Sequence, residues 1–264
     1  MTTGGAEGPG GGPMDPFRLD GRVALISGGA TGLGYGMAQS MVEAGARVVL
    51  LGRREQVLRD AVRRLGDGAA FERFDVTDTA GAPDLARRIV ESCGGIDILV
   101  NNAGIHDKRT FVDTSVEDFN RVLQTHVYGS FALTSAVIPT MLARGRGHVL
   151  FIVSMSASIG MPRIVAYSTA KAAYTGMIRS LAAELSPQGI RVNGVAPGWI
   201  ESEMLHKAID DDPERKRKIL SRTPMGRFGD PRDIGRAAVF LSSDAAAFIT
   251  GAILPVDGGA SIGF

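Results

Sequence analysis

Short runs rich in Val, Ile and Leu recur along this chain, each followed by a longer stretch in which apolar residues return every three or four positions. The runs at 22–27, 46–51, 69–74, 96–100, 148–153, 191–196 and 252–256 are brief and mainly apolar, as strands covered on both faces are. The stretches at 34–44, 55–65, 116–142, 166–185 and 230–242 have helical length and periodicity. This alternation predicts successive βαβ units and hence an α/β fold: a doubly wound, seven-stranded parallel sheet with helices on both faces, the Rossmann arrangement. No gap resembles a linker, so residues 17–264 are expected to form a single domain. Residues 1–16 hold six Gly and no Lys or Arg, which predicts a disordered tail lacking the features of a signal peptide.

Composition narrows the partners. No uninterrupted apolar stretch reaches eighteen residues, and the longest candidate, 239–256, is broken by Asp244, so a membrane span is excluded. Lys plus Arg number 29 against 28 Asp plus Glu, and a net charge of +1 gives no bulk attraction to nucleic acid or a membrane surface. The partner is therefore expected to be a small molecule. Cys93 is the single cysteine, which precludes an internal disulfide and a cysteine-based zinc site; no metal is expected, and a reducing, cytoplasmic compartment fits.

A doubly wound sheet binds ligands beyond the carboxyl ends of its strands. The first such loop reads Ser27-Gly28-Gly29-Ala30-Thr31-Gly32-Leu33-Gly34 and opens a predicted helix. Glycines there let the backbone approach a pyrophosphate, and the helix N-terminus offers unpaired N–H groups, although a chain with 35 Gly can carry such a turn without a ligand. At the end of the second strand, where a carboxylate would bind an adenosine ribose, stand Arg53 and Arg54. Two guanidiniums suit a 2′-phosphate, which makes NADP(H) the expected cofactor with NAD(H) the alternative; an exposed pair opening a helix is the plainer reading.

Tyr167 and Lys171 stand four apart and so share one helix face. With 4 Tyr and five Lys (108, 171, 207, 216 and 218) in 264 residues, chance gives only about 0.08 such pairs. A neighbouring cation is expected to lower the phenol pKa and make Tyr167 a proton donor and acceptor.

With these residues the chain resembles the short-chain dehydrogenases/reductases from Leu19 to Gly259. The turn from Ser27 to Gly34 is similar to the family's T-G-x-x-x-G-x-G with Ser for Thr. Asp75-Val76 looks like its adenine-contacting pair, and Asn101-Asn102-Ala103-Gly104 matches its N-N-A-G motif. Ser154, thirteen residues before Tyr167, has the spacing of the family's serine, and Pro197-Gly198 begins its cofactor loop, with Ile200 and with Ser202 in place of a usual Thr. The resemblance implies that Tyr167 exchanges a proton with the substrate oxygen while a hydride passes to or from the nicotinamide. Ser154 would hold that oxygen, and Lys171 would bind the ribose. It also implies a homotetramer built through helices 116–142 and 166–185 and the last strand.

One departure concerns the relay. Relatives usually carry Asn where this chain has His126, so the expectation is an imidazole that holds a water or passes a proton, adding an ionisation near 6.5; a ring satisfied by a backbone carbonyl is the alternative. For the substrate, Met155, Met161, Arg163, Trp199 and Met204 are the expected lining, with His106, Asp107, Lys108 and Arg109 on the loop after N-N-A-G. A lid is expected over 200–223, whose Met204, Leu205 and Ile209 are interleaved with His206, Lys207, Arg215, Lys216, Arg217, Lys218 and Asp210, Asp211 and Asp212. Those cations could receive a carboxylate or phosphate, or form a solvated helix face. The chain leans toward the gluconate 5-dehydrogenase-like branch, which acts on sugar acids and polyols. A 3-oxoacyl-carrier-protein reductase is the competing enzyme and an NADP-sensing regulatory protein the non-catalytic alternative.

Overall fold

The computed structural model describes residues 15–202, 205 and 212–263. Seven parallel strands form one sheet in the order β3-β2-β1-β4-β5-β6-β7: β1 Val23–Ser27, β2 Arg47–Gly52, β3 Ala69–Arg73, β4 Ile98–Asn101, β5 Gly147–Ile152, β6 Ile190–Pro197 and β7 Ile253–Val256. Each lies within two residues of the span its apolar run predicts, the margin at which strand ends are ordinarily ambiguous. The helices are α1 Gly32–Glu43, α2 Glu55–Leu65, α3 Ala82–Cys93, α4 Val116–Leu123, α5 Gly129–Leu142, α6 Val165–Leu185, α7 Pro213–Ser221 and α8 Pro231–Ser242.

Successive strand residues point to opposite faces, and each face has its own core. Leu25, Val49, Leu99, Val149 and Phe151 pack with Leu85 and Ile89 of α3, Leu133 and Val137 of α5, and Tyr174 and Ile178 of α6. Ala24, Ile26, Val48, Leu50 and Leu150 pack with Met37 and Met41 of α1, Leu58 of α2, and Ile234 and Leu241 of α8. Strand order reverses between β1, which pairs with β2, and β4, so a crevice opens beyond their carboxyl ends.

Two features depart from the sequence pattern. The helix expected over 116–142 is interrupted: α4 and α5 are joined by a π-helical turn, Gln124–Tyr128, which widens the helix and turns His126 inward. Such turns interrupt the regular hydrogen-bond ladder and recur at functional sites. α3 was absent from the anticipated set because its buried stripe is only Ala82, Leu85, Ala86 and Ile89, with Pro83 in its first turn. Of the expected tail, residues 1–14 lie outside the described residues, whereas Pro16 accepts a hydrogen bond from Ala245 N at 2.9 Å. Among the described residues no helix is long and apolar enough to cross a membrane.

Candidate active site

The loops after β1 and β4 are laced together at the crevice. Ser27 Oγ donates to Val100 O at 3.2 Å and accepts from Asn102 N and Ala103 N, each at 3.0 Å. Asn102 Nδ2 donates to Ser27 O at 2.9 Å and to Gly28 O at 3.1 Å. A side chain at Gly34 has no room, since its Cβ would lie 2.1 Å from Gly28 O, and Gly28 and Gly32 hold left-handed φ of +64° and +52°. Thr31 makes no side-chain cap at the start of α1, and no acidic residue occupies its first turn. The N–H groups of Gly32, Leu33 and Gly34 therefore open α1 with no carboxylate against them, the donor set a pyrophosphate requires.

Farther along the crevice, Arg53 and Arg54 follow β2 and are exposed. Arg53 Nη1 stands 3.8 Å from Asp75 Oδ2, a loose contact between exposed groups. The Asp75 carboxylate is held by Thr77, accepting from its N at 3.0 Å and its Oγ1 at 2.8 Å, and Val76 is buried beside Gly129. Pro197 ends β6 and Gly198 follows it; Ile200 is buried and bridges to Gly229, and Ser202 Oγ accepts from Leu205 N at 3.1 Å.

Ser154, Tyr167 and Lys171 meet beyond β5. Ser154 Oγ accepts from Ser156 N at 3.1 Å and Ser156 Oγ at 3.0 Å. Tyr167 is the third residue of α6, and Lys171, one turn on, is buried, its Nζ donating to Ile152 O at 2.6 Å. Nζ lies 5.6 Å from the centre of the Tyr167 ring and 4.8 Å from that of Tyr174. Burial pushes the Tyr167 phenol up to about 12, opposed by its hydrogen bond with Ser154, and pushes Lys171 down to about 7. This corrects the expected lowering of the phenol by the cation. The two groups share a dry site in which desolvation is the leading cause of both shifts, and the ammonium is aimed at the Ile152 carbonyl.

His126 is corrected as well. Its Nε2 lies 3.0 Å from Ile105 N and 2.8 Å from Ile105 O, its Nδ1 is buried without a protein partner, and the ring stands edge-on to Tyr167 at 5.4 Å. Gly104 makes room for it, since a Cβ there would lie 2.2 Å from His126 Cε1. Burial, reinforced by Lys171, holds the imidazole at about 3, so it is neutral across the working range and the ionisation expected near 6.5 is absent. His126→Asn is therefore expected to leave the shape of the pH–rate profile unchanged above pH ~5. A displaced acid limb in the variant would show that the ring carries charge in solution.

The expected substrate residues differ in exposure. Met155 is buried at 5% exposure and backs the Ser154 loop, where it has little surface left for a ligand. Trp199, expected to line the substrate pocket, is half-buried and packs with Leu205, Ile219 and Phe228, which ties it to α7. Met161 is half-buried and Arg163 exposed. Arg163 holds φ of 69°, alone among the described non-glycine residues in the left-handed region, and its carbonyl accepts from Arg109 N at 3.0 Å. Of the expected lid, Met204, His206, Lys207, Ile209, Asp210 and Asp211 lie outside the described residues. The chief residue that sequence reasoning undervalued is His106, whose ring stacks on Tyr167 with centroids 4.0 Å apart at 23°. Its position after N-N-A-G was the only signal.

A doubly wound sheet, a glycine cradle at its switch point and a Ser–Tyr–Lys cluster beside it define a nucleotide-dependent oxidoreductase. A family model described as enoyl-(acyl carrier protein) reductase matches residues 28–261. The chain is 35% identical over 243 residues to the 3-oxoacyl-[acyl-carrier-protein] reductase of Vibrio cholerae, covering 92% of this chain and 98% of that protein. It is 38% identical over 248 residues to the 7alpha-hydroxysteroid dehydrogenase of Escherichia coli, covering 93% and 96%. The crystal structure of a gluconate 5-dehydrogenase from Burkholderia cenocepacia, in complex with NADP and tartrate, superposes with a TM-score of 0.90 at 36% identity, covering 95% of this chain and 99% of that one. The chain belongs to the short-chain dehydrogenase/reductase family and is an NAD(P)-dependent enzyme acting on CH–OH groups.

Proposed function

We propose that the protein is an NADP(H)-dependent oxidoreductase that interconverts a secondary alcohol and a ketone on a sugar acid or polyol. The convergence of Ser154, Tyr167 and Lys171 beside the glycine cradle carries this reading. In it, Ser154 donates a hydrogen bond to the substrate oxygen. Tyr167 supplies that oxygen with a proton in reduction and removes it in oxidation. Lys171 donates to Ile152 O and, with its remaining N–H groups, to the ribose, and His126 fixes the loop at Ile105. Gly28, Gly32, Leu33 and Gly34 receive the pyrophosphate, Asp75 and Val76 the adenine, and Asn102, Ala103, Gly104, Pro197, Gly198, Ile200 and Ser202 border the nicotinamide half, while Ser27 ties the two loops together. Bound NADPH supplies the hydride and NADP⁺ accepts it.

Arg53 and Arg54 support the preference for NADP(H): no carboxylate at the end of β2 opposes a 2′-phosphate, and Arg53 touches Asp75 only at 3.8 Å. Replacing both by Ala is expected to narrow the ratio of NADPH to NADH affinity by about tenfold or more. An unchanged ratio in fluorescence titrations would place the 2′-phosphate elsewhere.

The NADP and tartrate bound to the gluconate 5-dehydrogenase structure support the sugar-acid reading. Similarity to the Vibrio cholerae enzyme favours a second reading, a 3-oxoacyl-carrier-protein reductase. NADPH oxidation against keto sugar acids, keto polyols and 3-ketoacyl thioesters separates them, and tight NADPH binding with no turnover on any class would favour a regulatory role. We also read the protein as a cytoplasmic homotetramer joined through α4, α5 and α6 and through β7. In support, α5 and its π-turn present Phe131 and Tyr128 at 60% and 55% exposure.

A further inference from the structure

We propose that His106 recognises the hydroxyl on the carbon next to the reacting one, so that the substrate class is a vicinal diol and its hydroxyketone. The inference deepens the sugar-acid and polyol reading and rests on it. His106 lies nearly flat on the Tyr167 ring, with centroids 4.0 Å apart and planes 23° from parallel, while His126 meets the same ring edge-on at 5.4 Å. The chain on either side is fixed. Ile105 N and O lie 3.0 and 2.8 Å from His126 Nε2; Asp107 pairs with Arg109 and Arg121, each at 2.8 Å; and Arg109 N donates to Arg163 O at 3.0 Å. The imidazole is therefore set over Tyr167 by its neighbours, and no hydrogen bond of its own is spent in holding it there.

Of the three imidazoles among the described residues, His106 alone has no hydrogen-bond partner in the protein at either ring nitrogen. His126 is engaged by Ile105, and His148 on both sides, by Ser242 Oγ at Nδ1 (3.1 Å) and by Asn193 Nδ2 at Nε2 (3.2 Å). His106 is also the exposed one of the three, His126 and His148 being buried. Loss of water from its covered face, with the charges of Lys108 and Lys171, holds His106 at about 4, so at working pH the ring carries one N–H donor and one acceptor nitrogen.

Stacking by itself does not call for histidine, since a phenyl ring would cover Tyr167 as well. What the imidazole adds is a donor and an acceptor beside the residue that moves the proton. A hydroxyl, which both donates and accepts, matches that pair, whereas a carboxylate can use only the N–H and a methylene neither. Oxygens on adjacent carbons lie about one stacking distance apart. A substrate oxygen held by Ser154 and Tyr167 therefore leaves the neighbouring oxygen within reach of His106, and a substrate with a methylene in that place leaves the ring facing carbon in place of a partner. Sugar acids and polyols have the neighbouring hydroxyl; 3-ketoacyl thioesters have no hydroxyl on the carbons flanking the ketone.

Calorimetric titration of tartrate, and of malate of matching configuration, into the full-length protein saturated with NADP⁺ tests the inference without relying on turnover, because the two dicarboxylates differ only by one hydroxyl on the adjacent carbon. Wild type is expected to prefer tartrate by at least about threefold. His106→Phe, which keeps the stack and removes the nitrogens, should bring that preference to near parity while malate and NADPH affinities stay within about twofold of wild type. His106→Gln, which restores a donor and an acceptor, should recover part of the preference. No tartrate binding or no preference in wild type, or an undiminished preference in His106→Phe, would overturn the proposal. Equal weakening of both acids in His106→Phe would overturn it too, since a ring that only shapes the site does not distinguish them. Failure of the sugar-acid and polyol reading itself has a different signature: turnover confined to 3-ketoacyl thioesters, whatever the titrations give.

Discussion

Tyr167→Phe is expected to lower kcat/KM by at least about 10³-fold while NADPH affinity changes less than twofold. The phenyl ring keeps the stacking with His106 and the edge contact with His126, so the site should retain its shape and lose only the hydroxyl. Steady-state rates with a fluorescence titration of NADPH check both halves, and comparable turnover in the variant would remove Tyr167 from the chemistry. The wild-type pH dependence follows from the same residue. Because burial raises its phenol to about 12, Tyr167 is protonated at neutral pH and ready to donate in ketone reduction. Alcohol oxidation needs it deprotonated, so the oxidative rate should climb with pH through the range the protein tolerates while the reductive rate does not.

Lys171→Met should cost about 10²–10³-fold in kcat/KM and, unlike the tyrosine variant, should change stability in a pH-dependent way. In the folded protein burial lowers Lys171 to about 7, against 10.5 for an ordinary lysine. Between those values the unfolded chain binds the proton that the folded chain has released, so unfolding takes up a proton and stability rises with pH. Below about 7 the folded state bears the whole penalty of a buried charge, on the order of 5 kcal/mol before the bond to Ile152 O offsets part of it. The methionine has no such penalty. Urea unfolding at pH 6.5 and 9.5 should therefore show the variant gaining on wild type most at the lower pH. An identical difference at both values would mean that Lys171 does not titrate in the fold.

Both predictions concern residues whose spacing was visible along the chain and whose protonation was not. A Tyr and a Lys four apart on a helix share a face whatever surrounds them, and the glycines at 28, 32 and 34 are dictated by the turn itself. The pKa of Tyr167 depends instead on how much water the folded site excludes, and that is decided by β5, α6 and the loop after β4 together. Spacing alone supported the attraction of the cation and missed the larger desolvation. For His126 the sequence left open both a proton-passing imidazole and a ring satisfied by a backbone carbonyl, and the π-turn decides for the second by directing the ring inward to Ile105.

By itself the sequence determined the parallel sheet, the helices on its two faces, the phosphate-binding turn and the Tyr–Lys pair, because apolar periodicity and backbone conformation are local properties read within ten or twenty residues. Tertiary structure decided which way the buried groups titrate, that His106 covers Tyr167, and that Trp199 packs on α7. Those outcomes depend on juxtaposition and exclusion of water among segments up to about sixty residues apart, where charge and desolvation act through space and leave no period in the chain.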